Sequence, residues 1–197
     1  MDFLVVGSLN GNGERLKGLV EVTLPDIVIA LGPMNLSEPL ILKRTWFYIH
    51  GKEKDFETLS KSDGVDFMSR IFKYKNVYFC GLSGVFHPQT YKFTRKEWAK
   101  RNRGRFPKKD MGYIFNEDIL ALFATFEKLK IPKVNLFVSM LSPENKILKE
   151  IVETIKPDYC IYPAKKFQKF KEGTTKYIGI EEAQSFNGKY IIHFKEK

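Results

Sequence analysis

The chain has 197 residues, of which 43% are hydrophobic and 14% aromatic, and its formal net charge is +10. This length and composition suffice for one buried core, so we predict a single domain over residues 1–197. The 17 Phe and nine Tyr argue against intrinsic disorder. The sequence shows no basic-then-apolar leader and no apolar run near the roughly 18 residues that cross a membrane. We therefore expect a soluble intracellular protein, nuclear or cytoplasmic, that is monomeric by itself.

The first predicted strand and the loop after it organise the fold. An apolar run at 3–6 ends at Gly7, and a loop rich in Gly and Asn at 8–13 precedes an amphipathic segment. Ligands of α/β proteins bind beyond the carboxyl ends of strands, so this loop is a predicted site. No Lys-Ser/Thr pair follows the glycines, which excludes a P-loop. The spacing of Gly7, Gly11 and Gly13 also differs from the dinucleotide fingerprint.

Apolar runs and helical patterns alternate along the rest of the chain, which predicts an α/β fold. Further strands are predicted at 26–31, 46–49, 77–80, 134–138, 159–162, 176–180 and 189–194. Helices are predicted at 14–22, 55–59, 65–72, 117–129 and 142–155. Asn187-Gly188 lies between the last two strands and favours a hairpin turn there.

Positive charge is concentrated in one segment. Residues 92–109 hold nine Lys or Arg against Glu97, which leaves a net charge of only +2 for the remaining chain. Such a concentration indicates a polyanionic partner. The cations and the tryptophan that we predict to bind RNA are Lys92, Arg95, Lys96, Trp98, Lys100, Arg101, Arg103, Arg105, Lys108 and Lys109.

Aromatic residues are interleaved with these charges. Tyr91, Trp98 and Phe106 are suited to stacking on exposed bases. The segment lacks apolar periodicity over its length, although 94–101 is compatible with a short helix, and long loops in compact domains are usually functional or disordered. The alternative is a solvated loop whose aromatic rings pack back onto the domain.

Cysteines and histidines give no sign of a metal site or a nucleophile. Cys80 and Cys160 lie at the ends of apolar runs and are predicted to be buried thiols. His50, His87 and His193 have no ligand spacing, which favours structural or surface roles. No nucleophile elbow surrounds a loop serine, which argues against a serine hydrolase.

The loops after the predicted strands resemble, in order and spacing, those of the calcineurin-like metallophosphoesterases. That family has D-x-H, G-D-x-x-D/N, G-N-H-D/E, a lone His and G-H-x-H on these loops, and the side chains hold two metal ions that activate a hydroxide against a phosphoester. The corresponding loops are 8–11, 32–35, 51–53, 139–143 and 163–166. The resemblance implies a β-sandwich of mixed sheets flanked by helices. The basic stretch has no clear counterpart in that family, so we interpret residues 87–112 as a long basic insertion within the domain.

The metal ligands of that family are replaced in this chain. The matching positions hold Ser8, Asn10, Pro33, Lys52, Glu53, Met140, Ala164 and Lys166. Two divalent ions need several converging carboxylates and imidazoles. Of these residues only Glu53 offers a charged oxygen, and lysines repel a metal. The resemblance therefore implies a non-catalytic protein without metal or other cofactor.

The chain more closely resembles the N-terminal, metallophosphoesterase-like domain of the CwfJ-type splicing factors, which are relatives of the lariat debranching enzyme. The metal ligands of that domain are likewise largely lost. The matching stretches are FLVVGSLNGNGERL, FYIHGKEKDFETL, KNVYFCGLSGVF, GYIFNEDILAL, VNLFVSMLSP and TKYIGIEEAQSFNGKYIIHF. This resemblance implies a role at the spliceosome or on intron-lariat RNA.

We therefore expect a non-catalytic RNA- or ribonucleoprotein-binding factor, with the ribosome as an alternative assembly. For Lys52, Lys165 and Lys166 two interpretations stay open: they bind a phosphate at the rim of the former metal site, or they are simply solvated. The rim residues that we predict to contact phosphate are Ser8, Asn10, Asn12, Lys52, Lys165 and Lys166.

Two other function classes stay open at this point. A residual metal-dependent phosphodiesterase would use an altered site around Asn10, Glu53 and His50. A pure protein-docking scaffold would place the basic stretch against an acidic protein patch. The first class predicts metal bound to the purified protein and turnover of a generic phosphodiester. The second predicts that the complex with the partner protein stays intact after nuclease treatment.

Overall fold

The computed structural model describes residues 1–52 and 56–195. Its strands are β1 (Asp2–Val6), β2 (Ile27–Leu31), β3 (Trp46–Ile49), β4 (Val65–Asp66), β5 (Ile71–Tyr74), β6 (Val77–Leu82), β7 (Leu136–Ser139), β8 (Tyr159–Pro163), β9 (Gln168–Glu172), β10 (Thr175–Ile180) and β11 (Lys189–His193). Its α-helices are α1 (Gly13–Thr23), α2 (Phe56–Ser60), α3 (Arg95–Arg101), α4 (Asn116–Leu129) and α5 (Lys146–Ile155).

The strands form two mixed sheets. A five-stranded sheet has the order β11-β1-β2-β3-β4, and a six-stranded sheet has the order β5-β6-β7-β8-β10-β9. The inner strands of both sheets run parallel, and β11, β5 and β9 join their edges antiparallel. The predicted α/β fold, with mixed sheets flanked by helices, is confirmed.

Apolar side chains pack in three layers. Phe3, Phe47, Phe79 and Ile178 fill the space between the two sheets. A second cluster lies between the six-stranded sheet and helices α4 and α5, and a third between the five-stranded sheet and helices α1 and α2. Both faces of the inner strands are therefore buried, which explains the continuous apolar sequence IVIAL of β2. Full burial of each large side chain contributes roughly 1.5–3 kcal/mol.

The two cysteines belong to the second of these layers. Cys80 and Cys160 are fully buried and unbridged, as predicted. Burial disfavours the thiolate and raises the pKa of both thiols well above the usual range. Neither thiol is therefore a nucleophile at neutral pH.

Capping side chains fix where helices begin. Asn12 accepts a hydrogen bond from Arg15 N at 3.0 Å and caps α1. Asn145 accepts one from Ile147 N at 2.9 Å, so α5 begins four residues after the start of the predicted helix 142–155. The helix predicted at 55–59 is α2, and residue 55 itself lies outside the described ranges.

The helix predicted at 65–72 is wrong. This stretch holds β4 and the start of β5, because Met68 and Ser69 adopt positive φ angles of 40° and 62° and bend the chain between them. Phe67 is fully buried between the sheets, and Phe72 packs against the same cluster. The apolar spacing that imitated a helix face thus comes from two short extended segments.

The hairpin predicted between the last two strands is also wrong. β10 lies in the six-stranded sheet, whereas β11 crosses to the other sheet and pairs with β1. Gly188 allows a close backbone approach, since a Cβ there would lie 2.1 Å from the carbonyl oxygen of Glu182. The hairpin partner of β10 is β9, whose five exposed residues QKFKE lack apolar alternation.

None of the five α-helices in the described ranges has the length and hydropathy needed to cross a membrane. The helices instead carry apolar stripes that match their positions outside the sheets. Leu16, Leu19 and Val20 form such a stripe on α1.

Candidate nucleic-acid interface and strand-end loops

The loops that follow the parallel strands of both sheets meet at one edge of the sandwich. His50 O, after β3, accepts a hydrogen bond from Gly84 N, after β6, at 2.7 Å. A Cβ on Gly32 would lie 2.3 Å from Gly51 N, so the loops after β2 and β3 pack backbone to backbone. These backbone contacts bring loops of both sheets together at this edge.

The polar residues of the first loop hold the structure together. Ser8 is buried, and its hydroxyl donates to Gly32 O at 2.5 Å. Asn12 is the cap of α1 described above. Asn10 is exposed, with a φ of 48°. Ser8 and Asn12 therefore have structural roles in this loop, and the phosphate contacts predicted for them stay predictions.

Pro33 and Met140, at two positions that match metal ligands of the resembled family, lie against Gly51 at this edge. The Met140 side chain and the Pro33 backbone both approach Gly51, within 3.4 Å and 3.2 Å of where its Cβ would stand. The residues described here contain no group of three His, Cys, Asp or Glu side chains placed to hold a metal ion. Glu53, the one matching position with a carboxylate, lies outside the described residues.

The predicted rim lysines lie in different surroundings. Lys52 is exposed, with its Nζ 5.7 Å from the centroid of the Tyr113 ring at the end of the basic insertion. Lys165 lines a cleft of about 410 Å³ together with Ser8, Glu181 and Glu182. Lys166 is exposed beyond β8.

A carboxylate offsets the positive charge of that cleft. The backbone N–H of Phe167 donates to Glu181, as does Asn187 Nδ2, at 3.0 and 3.3 Å. These hydrogen bonds lower the pKa of Glu181, so it is charged at neutral pH. A phosphate beside Lys165 would therefore also meet negative charge, which weakens the prediction that the cleft binds phosphate.

A cluster that the sequence did not predict lies between the ends of β3, β4 and β6. His50 Nδ1 lies 2.6 Å from Asp66 Oδ2, and the Ser83 hydroxyl donates to Asp66 Oδ1. The two side chains of the His50–Asp66 pair are only 12% and 16% exposed. The three residues are spread over 34 positions, so no local motif signals the cluster. It joins the two sheets at the edge where the loops meet.

The other two histidines lie elsewhere. The His87 ring lies 4.7 Å from that of Tyr113. His193 Nδ1 lies 2.6 Å from Asp2 Oδ1, which connects β11 to β1. The prediction of structural or surface roles agrees with these contacts.

Residues 87–112, which we call the basic segment, are folded. Turns of 3₁₀ helix at Thr90–Lys92 and Lys108–Asp110 flank α3. Thr94 and Glu97 form a capping box, in which each side chain bonds the other's backbone N–H. The short helix that the sequence left open is confirmed, and the basic charges lie on a defined scaffold.

Arg95 anchors this scaffold to α4. Its guanidinium donates to Glu117 at 2.8 Å and to both oxygens of Asp118 at 2.7 and 3.0 Å, and it lies 4.8 Å from the centroid of the Phe115 ring. Burial disfavours its charge, but the bonds and charges of Asp118 and Glu117 outweigh that effect and raise the pKa of Arg95. These three bonds use at most three of the five guanidinium N–H groups, so Arg95 has a structural role as an anchor, and its predicted RNA contact stays a prediction.

Trp98 closes the segment on itself. Its indole Nε1 donates to Asp110 at 2.8 Å, and Asp110 is only 5% exposed. The half-buried indole therefore has a fixed position on α3. The alternative interpretation, in which aromatic residues pack back onto the domain, is thus correct for the Nε1 edge of Trp98. It is also correct for Phe106, whose ring centroid lies 5.6 Å from that of Phe115.

The remaining cations of the segment point outward. All eight are exposed, and none makes an ion pair with another residue of the described ranges. They are Lys92, Lys96, Lys100, Arg101, Arg103, Arg105, Lys108 and Lys109. The segment therefore presents uncompensated positive charge to solvent.

An open pocket of about 450 Å³ lies among these residues. Phe93 and Trp98 form part of its wall, with ring centroids 5.8 Å apart and planes inclined by 32°. The Arg101 guanidinium lies 4.4 Å from the centroid of Phe93. The other lining residues are Pro88, Gln89, Lys92 and Asn102. We call this feature the segment pocket.

Comparisons with known proteins identify the fold but no family. No family model and no curated protein matches the sequence. The crystal structure of TT1561 of Thermus thermophilus is similar with a TM-score of 0.64 at 13% identity, covering 92% of this chain and 89% of that chain. A second crystal structure has a TM-score of 0.63 at 11% identity, covering 92% and 90%. At such identity the similarity concerns the fold alone.

Proposed function

We propose that this chain is a non-catalytic RNA-binding protein that uses the basic segment as its binding surface. One observation carries the proposal: eight exposed cations without ion pairs in the described ranges stand on a folded, anchored scaffold. Polyanion binding gains free energy from each phosphate that such cations neutralise, because condensed counterions are released. A preorganised scaffold also lowers the entropic cost of binding.

RNA is favoured over an acidic protein because aromatic and cationic side chains share this surface. Phe93 and Trp98 lie beside Lys92 and Arg101 in the segment pocket. Single-stranded nucleic acid combines phosphates with planar bases, and its binding sites combine cations with aromatic rings. An acidic protein patch would use the charges but would give the rings no planar partner.

We further propose that the RNA belongs to a large ribonucleoprotein complex. The resemblance to the N-terminal domain of CwfJ-type splicing factors supports the spliceosome or intron-lariat RNA. The ribosome stays the alternative. The residual phosphodiesterase around Asn10, Glu53 and His50 also stays a prediction.

The test removes four charges from the segment and four from elsewhere. The first variant changes Lys96, Lys100, Lys108 and Lys109 to Ala. The matched control changes Lys128, Lys130, Lys146 and Lys149, which are equally exposed and lie on or next to α4 and α5. Affinity for a labelled single-stranded RNA of mixed sequence is measured by fluorescence anisotropy at several salt concentrations.

We expect the segment variant to bind RNA at least about tenfold more weakly. The slope of log affinity against log salt concentration should also become shallower by about 0.7 for each phosphate contact that is lost. The control should bind within about twofold of the unmodified protein. Equal losses in both variants would mean that RNA responds only to net charge, and the proposal would then be wrong.

A further inference from the structure

We propose that the segment pocket binds one unstacked base of a single-stranded RNA, so that the protein prefers single strands to duplexes. This inference rests on the proposed function and deepens it, because charge alone does not distinguish the two forms. The volume of about 450 Å³ lies within the roughly 300–1,000 Å³ of small-molecule pockets. A single nucleotide belongs to that size class.

The pocket offers planar surfaces to a base. The Arg101 guanidinium covers one face of Phe93 at 4.4 Å, and the Trp98 ring is inclined to Phe93 by 32°. Bases stack on aromatic rings and also on guanidinium planes. A base entering from solvent would therefore meet a stacking partner in Arg101 or Trp98, while a phosphate next to it would meet Lys92.

Trp98 is held in place before any ligand arrives. Its Nε1 donates to buried Asp110, and the helix that carries it is capped by Thr94 and Glu97 and anchored by Arg95. The polar edge of the indole is thus satisfied inside the protein. The ring needs little reordering on binding, which preserves the affinity gained from stacking.

Duplex RNA cannot use this pocket. Its bases are already stacked on their neighbours, and its deep major groove is too narrow for side chains to reach them. A duplex can still contact the exposed lysines and arginines through its phosphates. The pocket thus predicts a preference for single strands that disappears when its rings are removed.

The experiment compares two variants of Trp98 that both lose the bond to Asp110. Trp98→Phe keeps an aromatic plane, whereas Trp98→Leu keeps apolar volume without one. Affinities are measured for a 12-nucleotide single-stranded RNA and for a 12-base-pair RNA duplex. Thermal unfolding and the circular dichroism of both variants are recorded, so that a loss of folding is not mistaken for a loss of stacking.

We expect Trp98→Leu to lose roughly tenfold or more in affinity for the single strand, and Trp98→Phe to stay within about threefold. Both variants should bind the duplex as the unmodified protein does. Intrinsic fluorescence gives a second readout. Of the two tryptophans in the chain, Trp46 is buried, so quenching by the single-stranded RNA should come from Trp98 and be absent in Trp98→Phe.

Equal effects of the two Trp98 variants, or equal losses for single strand and duplex, would overturn the base-binding pocket. The charge variants described above would still respond in that case, and the proposed function would stand. If the charge variants bind RNA normally, the proposed function itself fails. The two failures therefore have different signatures.

Discussion

Single residues in the basic segment divide into anchors and exposed cations. Arg95 and Arg105 are both arginines of this segment, yet Arg95 bonds two carboxylates of α4 whereas Arg105 is exposed. The sequence shows only that both are positive. Whether a cation is available to an external phosphate depends on partners more than 20 positions away, such as Asp118, which no local pattern reveals.

This division predicts a difference in stability. Arg95→Ala should cost about 1–2 kcal/mol, because it leaves Glu117 and Asp118 without their partner while the site stays partly exposed to solvent. For a chain of this size the melting temperature should fall by about 2–8 °C. Differential scanning calorimetry measures the change, and Arg105→Ala serves as the control with a shift near zero. A matching loss in the control would contradict the anchoring role of Arg95.

Asp63, which lies outside the basic segment, contributes to folding stability in a pH-dependent way. Trp46 Nε1 donates to it at 2.6 Å, and the backbone N–H groups of Leu42 and Lys43 donate at 3.0–3.1 Å. Burial opposes its charge, but the bonds from Trp46 and the backbone outweigh burial and lower its pKa below the ordinary 3.8. The charged form is thus favoured by folding.

The sign of the effect follows from linkage. Because the folded pKa lies below the unfolded one, the stabilisation is present above about pH 4 and is lost as pH falls through the folded pKa. Asp63→Asn should therefore unfold at a lower temperature than the unmodified protein at pH 7, by about 1–2 kcal/mol in free energy. The difference should shrink when thermal unfolding is repeated near pH 3. A difference that is constant between pH 7 and pH 3 would contradict this account.

Elements with continuous apolar sequence were predictable, and short or polar ones were not. β2 and β3 are buried on both faces, and their sequences IVIAL and WFYI identify them at once. β9 consists of five exposed residues at a sheet edge and has no apolar pattern typical of a strand. Its extended conformation is stabilised by backbone pairing with β10. A strand that depends on a neighbour for its conformation leaves little trace in local pattern.

The edge position also explains the composition of β9. Lys169 and Lys171 alternate with Phe170, whose ring stacks on Tyr177 at 4.9 Å. Lysines on an exposed edge discourage pairing with another chain, because association would bring their charges together. Their conspicuous charge is thus explained by the sheet and need not mark a binding site.

At the scale of the molecule, the basic segment is an excursion from the sandwich whose two ends meet. Val85 N donates to Gly112 O at 2.8 Å, and Ile114 N donates to Val85 O at 3.1 Å. Gly112 also lies against the backbone at Gly51, where a Cβ would come within 2.7 Å of the carbonyl oxygen. The sequence predicted the insertion from its charge, whereas this closure depends on backbone contacts that composition does not encode.

The closure predicts that the sandwich folds without the segment. Replacing residues 88–111 by a short Gly-Ser linker should preserve cooperative thermal unfolding, with a lower melting temperature because the buried contacts of Thr90 are lost. The same variant should lose most of its affinity for single-stranded RNA. Circular dichroism and fluorescence anisotropy measure the two effects. An unfolded product would show that the segment is an integral part of the core.

The two ends of the basic segment meet at Val85 and Gly112, and this closure affects how the sequence can evolve. Insertions or deletions between these points change a lobe whose ends are already held together, so they need not displace any strand. The entropic cost of closing a loop also grows only slowly with the number of residues in the loop. Substitutions in the sandwich face the opposite condition, because every inner strand is packed on both sides. Such a molecule can change the chemistry of one lobe by lengthening or rewriting it, while most of its folding stability is carried by the sandwich.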